Sequence, residues 1–378
     1  MEWVKLGEIA SLITKGTTPT TLGFDFVDEG INFIKIESIS EEGSFISNKF
    51  NHITSECDNK LSRSRLQKND LLFSIAGAIG RTAIVTDDIL PANTNQALAL
   101  IRIPEGVINY SYLKYVLQSS VVSDQFENRK QGVAQLNISL KDVANFNIPL
   151  PSQAAQQMIV EILGGVEVII SLRKQQLAKL DELVKSRFVE MFGDPVLNPR
   201  RWRKVPLEEN ATLLNGRAYK QEELLDTGKY PVLRVGNFFS NRGWYYSDLE
   251  LEDDKYCDNG DLLYAWSASF GPQIWNGGKV IYHYHIWKVL VGEAYNKMFL
   301  CKLLEYVTSS LMRDTHGIAM MHLTKSGMEK TEFIVPPLAK QEEFSEFVSQ
   351  VDKSKLAVQQ SIDQLETLKK SLMQKYFG

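Results

Sequence analysis

The chain has 378 residues, of which 44 % are hydrophobic, so it can form two or three domains with well-filled cores. Its formal net charge of −4 argues against a nucleic-acid-binding protein, since such proteins are commonly basic, unless an acidic segment balances local basic surfaces. No run of about 18 apolar residues predicts a membrane span, and residues 1–10 lack the basic flank and apolar core of a signal peptide.

The chain holds three cysteines, Cys57, Cys257 and Cys301, without the paired spacing of a metal site. So few cysteines in so long a chain fit a reducing compartment, and we interpret them as structural. Together with the absence of a predicted signal or membrane segment, this predicts a cytoplasmic protein without a membrane partner.

Residues 1–151 predict a mixed α+β domain. Trp3 and the apolar residues that follow it can pack a short helix or strand, and Gly16 and Pro19 then turn the chain. The pattern next predicts a strand over 31–40, two strands around a glycine bend over 68–85, a strand over 95–103, a helix over 110–127, and a loop, short helix and strand over 131–151.

A long helix is predicted over 152–193. Apolar residues recur in alternating steps of three and four, which is the heptad seam of a coiled coil. The seam positions are 159, 163, 166, 170, 173, 177, 180, 184, 187 and 191. Only Arg173 and Arg187 interrupt it, and such charges restrict the partner and register. A helix over 159–191 would span roughly 50 Å, too long to fold as a globule by itself.

After a linker at 194–201, the same order of elements repeats over 202–336 and ends in a second long helix at 337–378. GDLLYAWSASFG at 260–271 matches NDLLFSIAGAIG at 69–80, and the helices superpose with a shift of 185 residues. Lys355 and Lys369 interrupt the second seam. A whole unit is therefore duplicated, and we expect the two helices to pair antiparallel as a coiled coil that holds the domains before them apart.

These features resemble the specificity subunit of a type I restriction-modification system over essentially the whole chain. The family's proline-rich junction before each helix is present as IPLPSQAAQQMI at 148–159 and IVPPLAKQEEF at 334–344, and FGDP at 192–195 is typical of the end of its first helix. Ser152 replaces the second proline of the first junction, and Ala154 and Ala155 replace acidic residues there.

The resemblance implies an α+β fold with two tandem target recognition domains, separated by two long antiparallel helices in a pseudo-two-fold repeat. Each domain would read one half of a bipartite double-stranded DNA site, while the helices set the gap and dock two methyltransferase subunits. Those subunits would methylate adenine N6 with S-adenosylmethionine, and restriction subunits would add ATP- and Mg-dependent translocation and cleavage.

The sequence itself is consistent with a chain that is not an enzyme and binds no cofactor. Val335-Pro336-Pro337-Leu338 lacks the Asn or Asp that adenine methyltransferases place before the prolines, and Gly277-Gly278-Lys279-Val280 lacks the spacing and hydroxyl of a phosphate-binding loop. We find no catalytic set that would support a standalone enzyme.

The loops that differ between the two copies are the best candidates for DNA contact, because phosphates need cationic donors and base edges need amide or planar groups. Asn137 and Arg217 are suited to pair bidentately with adenine and guanine. Any one of the candidates could equally be a solvated surface residue. The full set is Lys15, Thr17, Thr18, Arg63, Arg65, Lys68, Arg129, Lys130, Gln135 and Asn137 in the first copy, and Arg217, Tyr219, Lys220, Arg234, Trp266, Arg313, His316 and His322 in the second.

Aromatic residues of the second copy are predicted to lie mainly in its core, because they alternate along strands. They are Trp244, Tyr245, Tyr246, Trp266, Trp275, Tyr282, Tyr284 and Trp287, with Trp266 the best exception because it begins the AWSASFG bend. His283 and His285 alternate with aromatics and predict a strand face; as metal ligands they lack companions.

A second hypothesis is a scaffold whose helix pair separates two protein- or glycan-binding domains. The acidic net charge favours it, whereas basic clusters in equivalent loops of both copies favour DNA. Binding to duplex DNA at increasing salt separates the two, because phosphate contacts impose a steep salt dependence.

Overall fold

A computed structural model describes residues 2–127, 137–240, 243–267, 269–314 and 324–378. The chain forms two compact units, the first from residues 1–173 and 361–378, and the second from residues 174–360. Each long helix therefore contributes one part to each unit.

Unit 1 combines short strands with helices. Its strands are β1 (Glu2–Lys5), β2 (Leu12–Lys15), β3 (Ile31–Ile34), β4 (Asn51–Ile53), β5 (Leu71–Ser74), β6 (Thr82–Ile84), β7 (Ala92–Thr94), β8 (Leu98–Arg102) and β9 (Asn147–Leu150). Its helices are α1 (Leu6–Ile9), α2 (Ser55–Lys60), α3 (Tyr110–Leu117), α4 (Ser120–Glu127), α5 (Leu140–Ala144), the beginning of α6 (Gln153–Phe192) and the end of the last helix, α10 (Leu338–Phe377).

The central sheet of unit 1 has the order β2-β8-β5-β6 and is antiparallel throughout. Alternate residues of a strand point to opposite faces, and both faces here are covered: Leu71 and Phe73 join one core cluster, whereas Leu72 joins another. A smaller sheet, β4-β3-β7, pairs β3 with β7 in parallel, and β1 pairs with β9.

Unit 2 repeats this plan. Its strands are β10 (Lys204–Pro206), β11 (Ala211–Asn215), β12 (Tyr230–Leu233), β13 (Tyr245–Ser247), β14 (Tyr256–Cys257), β15 (Leu262–Ser267), β16 (Ser269–Ile274), β17 (Val280–Tyr282), β18 (Ile286–Val291) and β19 (Glu332–Ile334). Its helices are α7 (Val235–Phe239), α8 (Lys297–Asp314), α9 (Lys325–Lys330), the end of α6 and the beginning of α10 (Leu338–Phe377).

The sheets of unit 2 are β11-β18-β15-β16 and β13-β12-β17-β14, with β10 paired to β19. Leu262 and Tyr264 enter one core cluster and Leu263 and Ala265 the other, which matches the alternation in unit 1. The structure confirms the mixed α+β class and the internal repeat.

The helices pair antiparallel within each unit. In unit 1, Lys369 Nζ lies 2.7 Å from Glu167 Oε1. In unit 2, Lys355 Nζ lies 2.6 Å from Asp181 Oδ1 and Arg187 Nη2 lies 3.0 Å from Glu343 Oε1. Seam residues of α6 and α10 thus pair with acidic residues of the other helix, so the charges that interrupt the seams are placed to restrict the register.

The buried stripe of each helix departs from the predicted seam at its last turn. Phe188 and Phe192, rather than Arg187 and Met191, are the buried residues of α6 there, and Phe377 is the buried residue at the end of α10. The three phenylalanines pack into the globular cores, so the larger apolar surface overrides the heptad spacing.

Helix α6 is the segment of the described residues that comes nearest to a membrane span. By length and composition it could cross a bilayer, since one 18-residue stretch has a mean hydropathy of 1.5. This is weak evidence, because core helices of soluble proteins meet the same criterion. Five seam residues of α6, Ile159, Leu163, Val166, Ile170 and Val184, are buried within the two units.

Several predicted elements are shorter or differently shaped than the sequence pattern suggested. The predicted strand 31–40 ends at Ile34, and a turn of 3₁₀ helix follows at Ile36–Ser38. The predicted helix 110–127 is broken into α3 and α4, and Trp3, expected to pack, is 49 % exposed. The cysteines are buried and unpaired, as expected of structural residues.

Candidate nucleic-acid interface

In each unit a glycine loop lies against a turn between two strands. The turns, which we name turn 95–97 and turn 283–285, join β7 to β8 and β17 to β18. A Cβ atom on Gly16 would lie 1.6 Å from the Thr94 carbonyl oxygen, and one on Gly216 would lie 2.3 Å from that of Tyr282. Only glycine allows this approach, so these two glycines bring the candidate residues after them to the turns.

Backbone hydrogen bonds fix turn 283–285 on three sides. The His283 N–H donates to the Leu233 carbonyl at 2.9 Å, and the Tyr284 N–H donates to the Arg217 carbonyl at 3.1 Å. The Trp266 N–H donates to the His285 carbonyl at 3.0 Å. The turn is therefore held by the ends of β12 and β15 and by the glycine loop.

A column of stacked rings contacts turn 283–285 on the side that faces the core. Trp287 stacks on Tyr264 at 5.8 Å, and Trp266 stacks on Trp287 at 5.7 Å, with interplanar angles of 17° and 18°. Tyr264 and Trp287 are buried, whereas Trp266 is half-buried, and its indole N–H donates to the Tyr284 carbonyl at 2.9 Å. The column carries Trp266 from the core to the base of the turn.

The rings of turn 283–285 form the outer part of this site. Ring centroids are 4.5 Å apart for His283 and Tyr284 and 4.0 Å apart for Tyr284 and His285. Tyr284 is 38 % exposed, and both histidines are half-buried. The prediction that Tyr284 is a core residue is wrong, because its strand ends at Tyr282; Trp275, Tyr282 and Trp287 are buried as predicted.

The histidines also differ from prediction, since they lie in a turn rather than on a strand face. Burial, followed by the nearby charges of His285 and Arg234, lowers the pKa of His283 to about 4. Burial also lowers the pKa of His285. Both imidazoles are therefore neutral near pH 7, and a neutral imidazole offers one donor and one acceptor. Among the described residues, no group of three or more His, Cys, Asp or Glu could hold a metal ion.

Two arginines flank turn 283–285. Arg217 donates two hydrogen bonds to Glu223, at 2.9 and 2.7 Å, and lies over the Tyr219 ring at 5.3 Å. Hydrogen bonds from Arg217 and from the Lys220 backbone lower the pKa of Glu223 to about 2, so this pair stays ionised. Arg234 is exposed and lies 5.0 Å over the Tyr245 ring. Arg234 thus presents its charge to solvent, while much of the charge on Arg217 is balanced internally.

Turn 95–97 of unit 1 has the same setting with different side chains. The Gly16 N–H donates to the Asn95 carbonyl at 3.1 Å, and the Ile75 N–H donates to the Ala97 carbonyl at 2.9 Å. The Thr18 hydroxyl donates to Gln96 Oε1 at 2.5 Å. Gln96 is exposed and Asn95 is half-buried, so two amides stand where unit 2 has two rings.

Predicted residues around turn 95–97 are partly brought together. Lys15 is exposed, Thr17 and Thr18 are half-buried, and all three lie within two residues of Gly16. Asn137 is exposed, and the next residue, Ile138, donates its N–H to the Ile75 carbonyl at 2.9 Å. These four candidates therefore lie along one edge of unit 1.

Two residues of the basic stretch 63–68 are paired with carboxylates. Arg65 donates to Asp58 Oδ2 at 2.5 Å, and its carbonyl accepts from Arg102, at the other end of β8 from turn 95–97. Lys68 forms an ion pair with Asp87 at 2.5 Å. Arg65 and Lys68 thus pair with carboxylates of the same unit. Arg63 is exposed on the 3₁₀ turn Ser62–Ser64, where the Ser64 hydroxyl donates to Asn93 Oδ1 at 2.7 Å, two residues before turn 95–97.

Three further candidate DNA-contact residues lie in unit 2. Lys220 is exposed and 3.8 Å from Glu222. Trp266 lies at turn 283–285 as described above, and the ring of Tyr219 stacks on that of His283 with centroids 6.4 Å apart. The remaining candidates fall outside the described residues or, for Arg313, have a side chain outside them: Arg129, Lys130, Gln135, Arg313, His316 and His322.

Sequence reasoning missed Asn95, Gln96, His283 and Tyr284 as members of a site. The sequence did contain a signal. Residues 93–96 and 281–284 precede equivalent strands in the two copies, and they differ in chemistry where the flanking apolar pattern is kept. A loop that varies on a fixed framework is a common place for binding residues.

Comparisons with known proteins place this duplicated layout in a family. The family model for the type I restriction modification DNA specificity domain matches residues 1–182 and 199–367. The specificity subunit of the type I restriction enzyme EcoBI of Escherichia coli is 34 % identical over 201 residues, which are 51 % of this chain and 40 % of that protein. The MjaIX specificity subunit of Methanocaldococcus jannaschii is 22 % identical over 403 residues, covering 98 % of this chain and 90 % of that protein.

Solved structures share the fold. A chain from a structure of a type I R-M system superposes with a TM-score of 0.63 at 18 % identity, covering 100 % of this chain and 97 % of that one. The S subunit of a type I restriction-modification system from M. genitalium gives a TM-score of 0.53 at 14 % identity, with coverage of 100 % and 96 %. Since the family model covers most of the chain in two copies, this protein belongs to the type I restriction-modification DNA specificity family.

Proposed function

We propose that this chain is the specificity subunit of a type I restriction-modification complex and that each unit binds one half of a bipartite DNA site. The carrying observation is the repeated convergence of a glycine loop and a turn, with different polar side chains in the two copies. A reader of two different half-sites needs different side chains at equivalent positions, because base edges differ while the DNA backbone does not.

The partners follow from this role. Two methyltransferase subunits would bring S-adenosylmethionine, and restriction subunits would bring the ATP- and Mg-dependent activities. The chain itself would remain non-catalytic and cytoplasmic. The antiparallel ion pairs Glu167–Lys369 and Asp181–Lys355, one within each unit, support the role of the paired helices as a spacer.

Salt-dependent binding tests the DNA hypothesis. The full chain, co-purified with its methyltransferase subunits, should bind duplex DNA with an affinity that falls steeply between about 50 and 200 mM salt, with a log–log slope near −0.9 for each phosphate contacted. A flat salt response would contradict the proposal and favour the scaffold hypothesis.

Adenine methylation identifies the site. Mapping N6-methyladenine in source cells with and without this gene should reveal one bipartite motif that disappears with the gene. If the methylation pattern is the same in both strains, the chain does not direct a methyltransferase.

A matched deletion tests the spacer role. Removing residues 171–177 from α6 and 359–365 from α10 takes one heptad from each helix, between the ion pairs that hold the register. The deletion shortens the pair by about 10 Å, so the preferred gap should change while both half-site sequences are kept. An unchanged gap would show that the helices do not set it.

A further inference from the structure

We propose that turns 95–97 and 283–285 carry the base-specific contacts, with Gln96 and Tyr284 as the central reading side chains of the two half-sites. This inference rests on the proposed function, because it names the residues that would make DNA recognition specific.

The strand registers show that the two turns are equivalent. β7 pairs with β3 through Thr94 and Ile34, and β17 pairs with β12 through Tyr282 and Leu233. On the other side, β8 and β2 pair Ala99 with Lys15, and β18 and β11 pair Trp287 with Asn215. Four residues separate the two anchor positions in both copies.

This spacing aligns the turns residue by residue. Asn95 corresponds to His283, Gln96 to Tyr284 and Ala97 to His285. The hydrogen bonds agree, since the carbonyls of Ala97 and His285 accept from the equivalent N–H groups of Ile75 and Trp266. Equivalent positions between equivalent strands therefore present an amide pair in unit 1 and a ring pair in unit 2.

The side chains have the chemistry of base recognition. An amide such as that of Asn95 or Gln96 can donate to and accept from adenine in the major groove. The hydroxyl of Tyr284 offers a donor and an acceptor, and the neutral imidazole of His283, whose Nδ1 accepts from the His285 N–H at 3.4 Å, offers its Nε2–H as a donor. Neither turn carries a Lys, Arg, Asp or Glu, so its contacts would discriminate between bases and add little phosphate attraction.

Cations beside the turns can contact phosphates, which leaves the turns themselves to contact bases. The exposed cations Lys15 and Arg234 stand beside the turns and can hold phosphates, which position a protein without specifying sequence. The turns are fixed by backbone hydrogen bonds and, in unit 2, by the Trp266 column. A side chain on a turn that is already held in place loses less conformational entropy when it binds DNA.

Two single substitutions test the assignment. Gln96→Ala and Tyr284→Ala remove exposed side chains beyond Cβ, so the fold should persist, as thermal unfolding will verify. Gln67→Ala and Leu290→Ala are matched controls at exposed positions of the same units, away from the turns. Each full chain, with its methyltransferase subunits, is used to select duplexes from a library with both half-sites randomised.

Gln96→Ala should relax base preference roughly 10-fold in one half-site, and Tyr284→Ala should do so in the other half-site, because one good base contact gives discrimination of this order. The salt slope should stay unchanged in both variants. If Tyr284→Ala does not fold, Tyr284→Phe removes only the hydroxyl and should relax the same half-site.

The outcomes separate the two proposals. If the unmodified complex selects no sequence, the proposed function fails. If it selects a bipartite sequence and both variants keep full preference in both halves, the assignment of the turns is overturned while the function stands. A variant that weakens binding to all sequences equally also overturns it, because the side chain then only positions the protein.

Discussion

The ring of Phe377 lies against the ring of Tyr112, with centroids 5.7 Å apart and planes tilted by 55°. Phe377 is only 2 % exposed and shares a core cluster with Ile159 and Leu163 of α6. Phe192, its counterpart at the end of α6, packs on Phe299 and Phe344 in unit 2. Both long helices thus end inside a globular core.

We expect Phe377→Ala to destabilise unit 1 by about 3–5 kcal/mol, since it removes a buried ring and leaves a cavity. The control Leu368→Ala, at a position that is 46 % exposed, should change stability by less than about 0.5 kcal/mol. Urea unfolding followed by fluorescence measures both. Equal effects would mean that the end of α10 does not contribute to the core.

Gln156 and Gln341 are buried at the starts of the two long helices. Gln341 Oε1 accepts from the Asn296 N–H at 2.9 Å, and its Nε2 donates to the Pro336 carbonyl at 2.8 Å. Gln341→Leu should cost about 1–3 kcal/mol, because these buried backbone groups lose their partners. Chemical denaturation provides the measurement, with the exposed Gln350→Leu as the control, and a smaller loss than in the control would contradict this role.

The ion pair between Glu167 and Lys369 should contribute only a small interaction energy to the stability of the fold. Both side chains are 30 % exposed, and pairs of this kind contribute about 0.2–1 kcal/mol. A double-mutant cycle with Glu167→Gln and Lys369→Met should give a coupling of this size that declines with added salt. Coupling that ignores salt would indicate packing rather than charge as its origin.

His283 should make stability sensitive to acid. Its folded pKa of about 4 lies below its ordinary value near 6.5, so between these values the unfolded chain binds more protons. The stabilisation is present above pH 6.5 and is lost as the pH falls towards 4, by at most about 2 kcal/mol at pH 5. His283→Gln should therefore narrow the stability difference between pH 7.5 and pH 5. If the stabilities of the unsubstituted protein and the variant fall equally between pH 7.5 and pH 5, His283 is not a buried neutral imidazole.

Two cationic candidates should behave differently with DNA. Lys15→Ala should reduce the salt slope of binding by about one, because the exposed Lys15 stands beside turn 95–97. Arg65→Ala should leave the slope unchanged and lower stability, since Arg65 pairs with the buried Asp58. A reduced salt slope for Arg65→Ala would mean that Arg65 contacts a DNA phosphate.

Much of the fold could be predicted because it depends on local periodicity. The alternation in residues 68–85 predicted β5 and β6, and the duplicated pattern predicted β15 and β16. The heptad spacing predicted the antiparallel helix pair, but it placed Arg187 and Met191 where Phe188 and Phe192 are buried. That error arose because Phe188 and Phe192 are buried in the core of unit 2, and the spacing of apolar residues within the helix carries no information about that core.

The candidate site was less predictable. Glycine spacing indicated the loops at Gly16 and Gly216, but the turns opposite them were interpreted as strand or core. Whether Tyr284 is buried depends on where β17 leaves β12 and where β18 joins β11 and β15, and these pairings join residues far apart in sequence.

The sequence by itself determined the duplication, the mixed α+β class, the long helices and the family resemblance, because these follow from period and repeat. Only the tertiary structure decided which polar residues stand together. It paired Arg65 with Asp58 and Arg217 with Glu223, and it exposed Gln96 and Tyr284 on equivalent turns. Charge and exposure at a given residue depend on long-range strand pairing, which local patterns do not encode.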